Sequence, residues 1–381
     1  MRNSLFVDVH ILQTVPPSNI NRDDTGSPKS ARFGGVKRTR VSSQAWKKAT
    51  RDLFPDMLSK DEVGQRTKRV VDMISDFVLD LKPGVDREQA IDAATRALAA
   101  TDINVKDGLT GYLVFVAPGQ AKALAEIAVK SIETGKAIAK KEAKEVLDVK
   151  KNPLLNAVDV AMFGRMVADA PELNVDASVQ VAHAIGVGRM EPEFDYFTAL
   201  DDRSPEDNAG AAMIETTEFA SATMYRYANI DVMHLCENLG SVSVACRGVE
   251  AFLRSFALSM PTGKQNSFAN RTLPAAVVVQ LRGTQPVSLV NAFEKPVEAR
   301  DGKSQVEIAC ERLANQEKAV DEAFGVSPQT TFVVVGSPDA KALPEVLPGA
   351  IECSLGEVLE EVSRSCSAFL AENGYQPEGG N

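Results

Sequence analysis

The chain has 381 residues, 44% of them hydrophobic and 25% charged, with a formal net charge of −10. This mixture fits one large domain with insertions, or two or three smaller units, and excludes a fibrous or wholly disordered chain. No run of about 18 apolar residues occurs, so no membrane span is expected; Asp8 and the lack of a cleavage-site pattern argue against a secretory leader, and a cytoplasmic protein is expected.

In chain order, residues 4–12 alternate and are β-rich, the pattern of a first sheet strand. Residues 14–29 hold Pro16-Pro17, Asn19, Asn21, Asp23-Asp24, Gly26 and Pro28 and read as a long polar loop, a kind that is usually functional or disordered. Phe33-Gly34-Gly35 leads into a basic run, in which Ser42 or Ser43 caps a helix over 45–54 that Pro55 stops. Residues 61–151 read as mainly helical. Val63, Val70, Val71, Ile74, Phe77, Val78 and Leu81 keep helical spacing, 88–100 is Ala-rich, and 119–149 makes one long helix or two. A strand or buried turn is expected at 111–116. Strand patterns return over 158–166, 177–187 and 215–229, with a Gly-, Asp- and Pro-rich stretch at 186–210 holding Phe194, Tyr196 and Phe197. An amphipathic helix is expected over 242–260, central strands over 276–281 and 331–335, and helices over 304–324 and 355–371. The tail 376–381 reads as disordered. This order predicts an α+β fold with appendages rather than a doubly wound sheet.

Charge is segregated. Residues 1–51 carry ten Lys or Arg against three Asp, a balance of +7, while the remaining 330 carry 32 basic and 49 acidic residues. From Lys29 to Arg51 stand Lys29, Arg32, Lys37, Arg38, Arg40, Lys47, Lys48 and Arg51, with no acid. Hydroxyls, Gln44 and a helix start lie in the same stretch, and free amides at a helix N-terminus favour phosphate along with the cations. A solvated basic surface would have a similar composition; the complete lack of acids tips the reading towards a polyanion.

Enzyme signatures are scarce. Gly263-Lys264-Gln265 lacks the upstream glycine and the following Ser or Thr of a P-loop, and no G-x-S-x-G, H-E-x-x-H or G-x-G-x-x-G occurs. Five cysteines (Cys236, Cys246, Cys310, Cys353, Cys366) without a C-x-x-C pair read as reduced, mostly buried thiols, and His10, His183 and His234 as core or strand residues rather than zinc ligands. No metal or cofactor is expected. Asp23-Asp24 beside Arg22 is the one pair that a Mg²⁺ ion near a phosphate would suit, although acids in such loops are commonly turn formers.

Several blocks in order resemble one family. Phe6-Val7-Asp8-Val9-His10, Asn21-Arg22-Asp23-Asp24, Phe33-Gly34-Gly35, Arg40-Val41-Ser42-Ser43-Gln44, Phe163-Gly164-Arg165-Met166 and Val181-Ala182-His183-Ala184-Ile185 resemble the CasC backbone family of the type I-E CRISPR Cascade. So do Phe197-Thr198-Ala199-Leu200-Asp201-Asp202, Tyr225-Arg226-Tyr227-Ala228-Asn229, Gly263-Lys264-Gln265 and Asn291-Ala292-Phe293-Glu294-Lys295, whereas the last 60 to 80 residues match less clearly. The resemblance implies an RRM-like (ferredoxin-like) palm over 1–60, 179–189 and 224–381, helical fingers over 61–178, and a β-hairpin thumb over 190–223. Copies of such a protein line up along a CRISPR RNA, with other Cascade subunits, displace every sixth base and present the guide to target DNA without catalysis.

By the same resemblance, Arg22, Lys29, Arg40, Ser42, Gln44, Lys47 and Lys48 contact phosphates, joined by Lys37, Arg38 and Arg51 of the basic run and by Arg165, Lys264 and Gln265 of the matching blocks. Met166 and Phe197 flank the displaced base. A thioether and an aromatic face stack on any base, a property that a protein coating every guide needs; ordinary core packing is the competing reading. Tyr225 and Tyr227, on one strand face, are expected to pack structurally rather than to bind RNA, and Trp46 to anchor a core. Lys136, Lys140 and Lys144, four apart, form a stripe that either attracts target DNA or pairs with nearby glutamates. The alternative function is an RNA-cleaving backbone subunit that uses Asp23 or Asp24.

Overall fold

The computed structural model describes residues 4–199 and 213–375; residues 1–3, residues 200–212 of the expected thumb, including Leu200-Asp201-Asp202, and the tail 376–381 lie outside the described residues. First come β1 (Phe6–Ser18), β2 (Ser30–Phe33), β3 (Val36–Val41) and α1 (Ser43–Asp52). A largely helical region follows: β4 (Gln65–Thr67), α2 (Val70–Leu81), α3 (Arg87–Ala99), β5 (Val105–Lys106), β6 (Leu109–Thr110), β7 (Val114–Val116), α4 (Pro118–Thr134), α5 (Lys140–Leu147) and α6 (Val158–Phe163). The chain then makes β8 (Val179–Val181), β9 (Ala184–Gly186), β10 (Glu193–Ala199), β11 (Met213–Asp231), α7 (Val232–Leu239), α8 (Val242–Leu258), α9 (Gln265–Phe268) and β12 (Ala276–Arg282). It closes with α10 (Gln305–Phe324), β13 (Thr330–Val335), α11 (Leu343–Val346), β14 (Ala350–Glu352) and α12 (Leu355–Glu372). The fold is α+β.

One sheet runs in the order β14-β13-β12-β1-β11-β9-β3-β2, with β8 and β10 also pairing to β11. β1 is central because nearly all of its side chains can be buried: Val7, Val9 and Ile11 face one layer, and Leu12 with the polar Asp8 and His10 face the other. The first layer packs against α1, α7, α8 and α12, and the second against α10. A separate cluster joins α2, α3, α4 and α5 with Val167, Ala170 and Leu173. Two helix faces of small residues, Ala90, Ala93, Ala94 and Ala97 against Ala121, Ala125 and Ala128, let these helices approach closely.

Two buried arginines are held by polar and aromatic partners. Arg282 is fully buried between Asp8 (Nε to Oδ2, 3.0 Å) and Glu317 (Nη2 to Oε1, 2.5 Å), and Tyr227 donates to Asp8 at 2.8 Å. On the other face Arg226 stacks over Trp46 at 3.6 Å and donates to Gln13 at 2.6 Å. Tyr225, Tyr227 and Trp46 are thus buried packing residues.

Two expectations change. β1 continues to Ser18 through residues read as loop; its pairing with β11 shifts between Val15 and Ser18, where Pro16 and Pro17 cannot donate to the ladder. Residues 158–166 form no strand but the short helix α6, ended by Gly164 at φ 78°. Tertiary contacts override the β-branched pattern there, because Asp159 on this helix is buried and accepts the Gly64 amide at 2.7 Å and Arg51 Nε at 2.8 Å.

Candidate nucleic-acid interface

The loop between β1 and β2 is closed by its own polar side chains. Asp23 Oδ1 accepts from Thr25 N (2.9 Å), Thr25 Oγ1 (2.7 Å) and Ser27 N (3.0 Å), while Asn19 Nδ2 donates to Gly26 O and Glu218 O, both at 2.9 Å. Those donors hold the Asp23 carboxyl below its usual range, the Thr25 hydroxyl first among them. The loop is tied to the start of α1 by Ser42 N donating to Asn21 Oδ1 at 2.9 Å. Arg22 remains exposed beside it.

The start of α1 is a donor surface. Ser42 is its N-cap, Ser42 Oγ accepting from Ala45 N at 3.3 Å, and no acid occupies the first turn. Ser43 N donates to His183 Nδ1 at 3.1 Å, and Arg40 Nη1 reaches the same nitrogen at 3.3 Å. Nδ1 must therefore accept, which assigns the ring proton to Nε2. Desolvation, then the charges of Arg40 and Lys29, push the His183 pKa down, so the ring is neutral. Lys29, Arg40, the imidazole of His183, Gln44 and the positive end of the α1 dipole thus converge on one surface. The loop Gly263-Lys264-Gln265 joins from the side: a Cβ at Gly263 would lie 2.3 Å from Ile20 O, so only glycine allows the approach that sets Lys264 beside the Arg22 loop.

Lys47 lies over the Phe163 ring at 5.6 Å, half-buried, and burial lowers its pKa. Beyond Phe163 the chain turns sharply at Gly164, where a Cβ would meet Val175 O at 2.8 Å. That turn sends Arg165 inward and Met166 outward, at 78% exposure. Phe197 stands on β10 opposite Glu215 and is 38% exposed; Phe194 (67%) and Tyr196 (63%) lie on the other face of the same strand. Core packing is thus excluded for Met166.

Four of the expected contacts are engaged by groups of this chain. Arg38 is fully buried, its guanidinium donating to the carbonyls of Gly186, Val187, Phe293 and Glu294 at 2.8–3.0 Å. Arg165 is buried and donates to Leu173 O, Gln120 Oε1 and Leu147 O at 2.6–3.0 Å. Both guanidiniums are sealed beneath the surface, out of reach of a phosphate there. Arg51 stacks over Phe115 at 4.7 Å and pairs with buried Asp159, and exposed Lys48 pairs with Asp52 at 2.6 Å. The expected lysine stripe is broken as well: Gly135 ends α4 in the left-handed region, and Lys136 lies between α4 and α5. Lys140 and Lys144 are both bound to Asp102, at 2.7 and 2.6 Å, and Lys144 also to Glu172.

Sequence reasoning did not place His183 or Ser43 at this surface. His183 is about 140 residues away in the chain, so no local spacing points to it. Among the described residues no cluster of His, Cys, Asp and Glu is arranged to hold a metal ion, and no helix is long and apolar enough to cross a membrane.

Comparison with known proteins places this geometry. The sequence profile described as CT1975-like protein matches residues 7–360. The chain belongs to the CT1975-like protein family. Among solved structures, it is similar to a chain of a CRISPR RNA-guided surveillance complex, pre-nicking, at 32% identity and a TM-score of 0.81, covering 95% of this chain and 100% of that one. It is also similar to a chain of another CRISPR RNA-guided surveillance complex, at 27% identity and a TM-score of 0.61, over 94% and 99% of the two chains. No curated protein matches. The family match extends past the blocks noted in the sequence and takes in β13, β14 and most of the C-terminal region.

Proposed function

We propose that this CT1975-like protein is a non-catalytic backbone subunit of a type I-E Cascade complex, which binds CRISPR RNA in several copies and offers it to target DNA. In this reading the palm comprises 1–60, 179–189 and 224–381, the fingers 61–178 and the thumb 190–223, and the complex works in the cytoplasm. Similarity to chains of CRISPR RNA-guided surveillance complexes supports membership of such an assembly. The observation that carries the RNA-binding role is the convergence of Lys29, Arg40, neutral His183 and the acid-free start of α1, with Arg22 and Lys264 alongside. These groups suit phosphate and sugar and read no base edge, as a protein serving every guide requires. Exposed Met166 and Phe197 supply sequence-neutral apolar contacts. The non-catalytic reading is supported by Asp23, whose carboxylate is occupied in closing its loop.

The test is the salt dependence of single-stranded RNA affinity for the full chain. Lys29→Gln with Arg40→Gln should flatten the log–log slope by about 0.7 for each phosphate no longer neutralised, equally for unrelated sequences. Weakening confined to one sequence rejects the reading. Cleavage of the bound RNA that disappears in an Asp23→Ala, Asp24→Ala chain would instead establish the cutting alternative.

A further inference from the structure

The tip of the β2–β3 hairpin, at Gly34-Gly35, carries a second group of cations. Gly34 takes φ 57° and touches the backbone of Glu294: a Cβ there would lie 1.6 Å from Glu294 O. Beneath the tip, Arg38 gathers the ends of two distant segments, 186–187 and 293–294, through four carbonyls. No carboxylate takes part, so carbonyl dipoles solvate a full positive charge that remains uncancelled. In a poorly polarisable interior such a charge projects its field to the nearby surface.

The segments that Arg38 gathers bring further cations with them. Met190 N donates to Lys37 O at 2.9 Å, which holds Arg189 beside β3. Arg312 donates to Lys295 O at 2.6 Å, next to the Glu294 contact. Arg32 is the cross-strand partner of Lys37. The charges of Arg312 and Arg189 also act on Arg38, adding to the effect of burial in lowering its pKa. Arg32, Lys37, Arg189 and Lys295 are exposed and Arg312 half-exposed, and none is in an ion pair among the described residues. The neighbouring Arg300 and Lys303 contrast with them, being paired to Asp301 and Glu311. Glu191, Glu294 and Glu298 lie on the same segments, against six cations. Clustering unpaired like charges is unfavourable in isolation, so the arrangement calls for an anion.

We propose that Arg189, Lys295 and Arg312, set around buried Arg38, together with Arg32 and Lys37 on the other face of the hairpin tip, form a second site for a phosphodiester backbone, distinct from the one at the start of α1. It rests on the reading that the chain handles a nucleic-acid strand. The two sites are separate on geometric grounds. Lys37 is three residues from Arg40 along β3, about 10 Å, and projects from the opposite face of the hairpin. That spacing exceeds the screening length of about 8 Å at physiological salt. Guide RNA and DNA share the chemistry that the site recognises.

The experiment uses a chain with Lys37→Gln, Arg189→Gln and Lys295→Gln, exposed side chains with no side-chain hydrogen bond or ion pair among the described residues. Affinities for single-stranded RNA are measured against salt for the full chain, and for target DNA with the guide-loaded complex. A slope flatter by roughly 2, from three phosphates at about 0.7 each, supports the site; the RNA arm alone identifies the guide, and the DNA arm alone the target. Unchanged slopes in both arms, while Lys29→Gln with Arg40→Gln still flattens the RNA slope, overturn the second site and leave the first intact. If neither set of substitutions changes any slope, the nucleic-acid reading itself fails. Weakened self-association without nucleic acid, with both slopes unchanged, overturns the site in favour of an acidic protein face.

Discussion

Arg165 separates a phosphate contact from a structural one, and Arg165→Met is the perturbation that does so. Methionine replaces the aliphatic stem but leaves Leu173 O, Leu147 O and Gln120 Oε1 without their donor in a buried site. Each abandoned acceptor costs about 1–3 kcal/mol, or roughly 3–9 kcal/mol for three. Against this, burial pushes the Arg165 pKa down from 12.5 to about 10, so removing the cation relieves a strain of about 3 kcal/mol. The balance is a destabilisation of about 0–6 kcal/mol, centred on about 3 kcal/mol, the size expected for removing one partner from a buried charged network. Urea unfolding of the full chain reads the stability, and single-stranded RNA binding against salt, under conditions where the variant is folded, reads the contact. The expected result is a lower urea midpoint with the wild-type salt slope. An unchanged midpoint with a flatter slope would refute the structural assignment and return Arg165 to the RNA.

Three further outcomes follow from the same geometry. Burial lowers the His10 pKa to about 3, so His10 withdraws stability as pH falls below 6.5; burial raises that of Asp8 to about 6, so Asp8 adds stability that is complete below 3.8 and lost as pH rises through 6. The two oppose each other between about pH 4 and 6. His10→Gln should leave the Asp8 effect alone, and the urea midpoint of the variant should rise on acidification relative to wild type; parallel pH profiles would count against the opposition. Asp102, held at about 2 by Lys140 and then Lys144, neutralises charge on these two lysines, so Asp102→Asn should tighten DNA binding by the loaded complex and steepen its salt slope by roughly 1. Unaltered DNA affinity would mean that these lysines face away from the target. Met166→Ala and Phe197→Ala remove exposed side chains and should leave the urea midpoint within about 0.5 kcal/mol of wild type. If the two side chains hold a displaced base, as proposed, loss of the fluorescence of 2-aminopurine guides bound to these variants would report its restacking, and unchanged emission would argue that neither side chain holds it.

The parts of the molecule that the sequence made legible are those whose cause is local. Ser42 caps α1 within three residues, Pro55 follows its end, and Ser304 with Glu307 forms a reciprocal cap at the start of α10. β12 and β13 are readable because an apolar run bounded by turns leaves little but a buried strand. The roles of individual arginines were not legible. Arg38 and Arg40 stand two residues apart in the same run and on the same strand face, yet one is sealed under 186–187 and 293–294 while the other reaches His183 at the surface. What decides between them is supplied by backbone about 150 and 255 residues away, which no window of sequence contains. Lys136 shows a boundary error of a different kind. The glycine that ends α4 was visible, but a stripe of lysines at helical spacing counts only if the helix continues through it.

An acidic chain can hold a polyanion when its cations are divided into paired and unpaired sets. In the largely helical region, Lys82, Lys130, Lys140, Lys144 and Lys151 each have a carboxylate within 3.3 Å, and their fields cancel within a short distance. From Arg22 to Arg40 none of the six cations is in an ion pair among the described residues, and the acids of that stretch, Asp23 and Asp24, sit in the loop beside Arg22. With a screening length of about 8 Å, a phosphate at this surface responds to the local excess and not to the net charge of −10. The acidic remainder then has a consequence of its own. It disfavours nucleic acid at the acidic faces, so a bound strand is expected to follow surfaces where cations are left without partners, and which arginines and lysines the fold has already neutralised bears on its path.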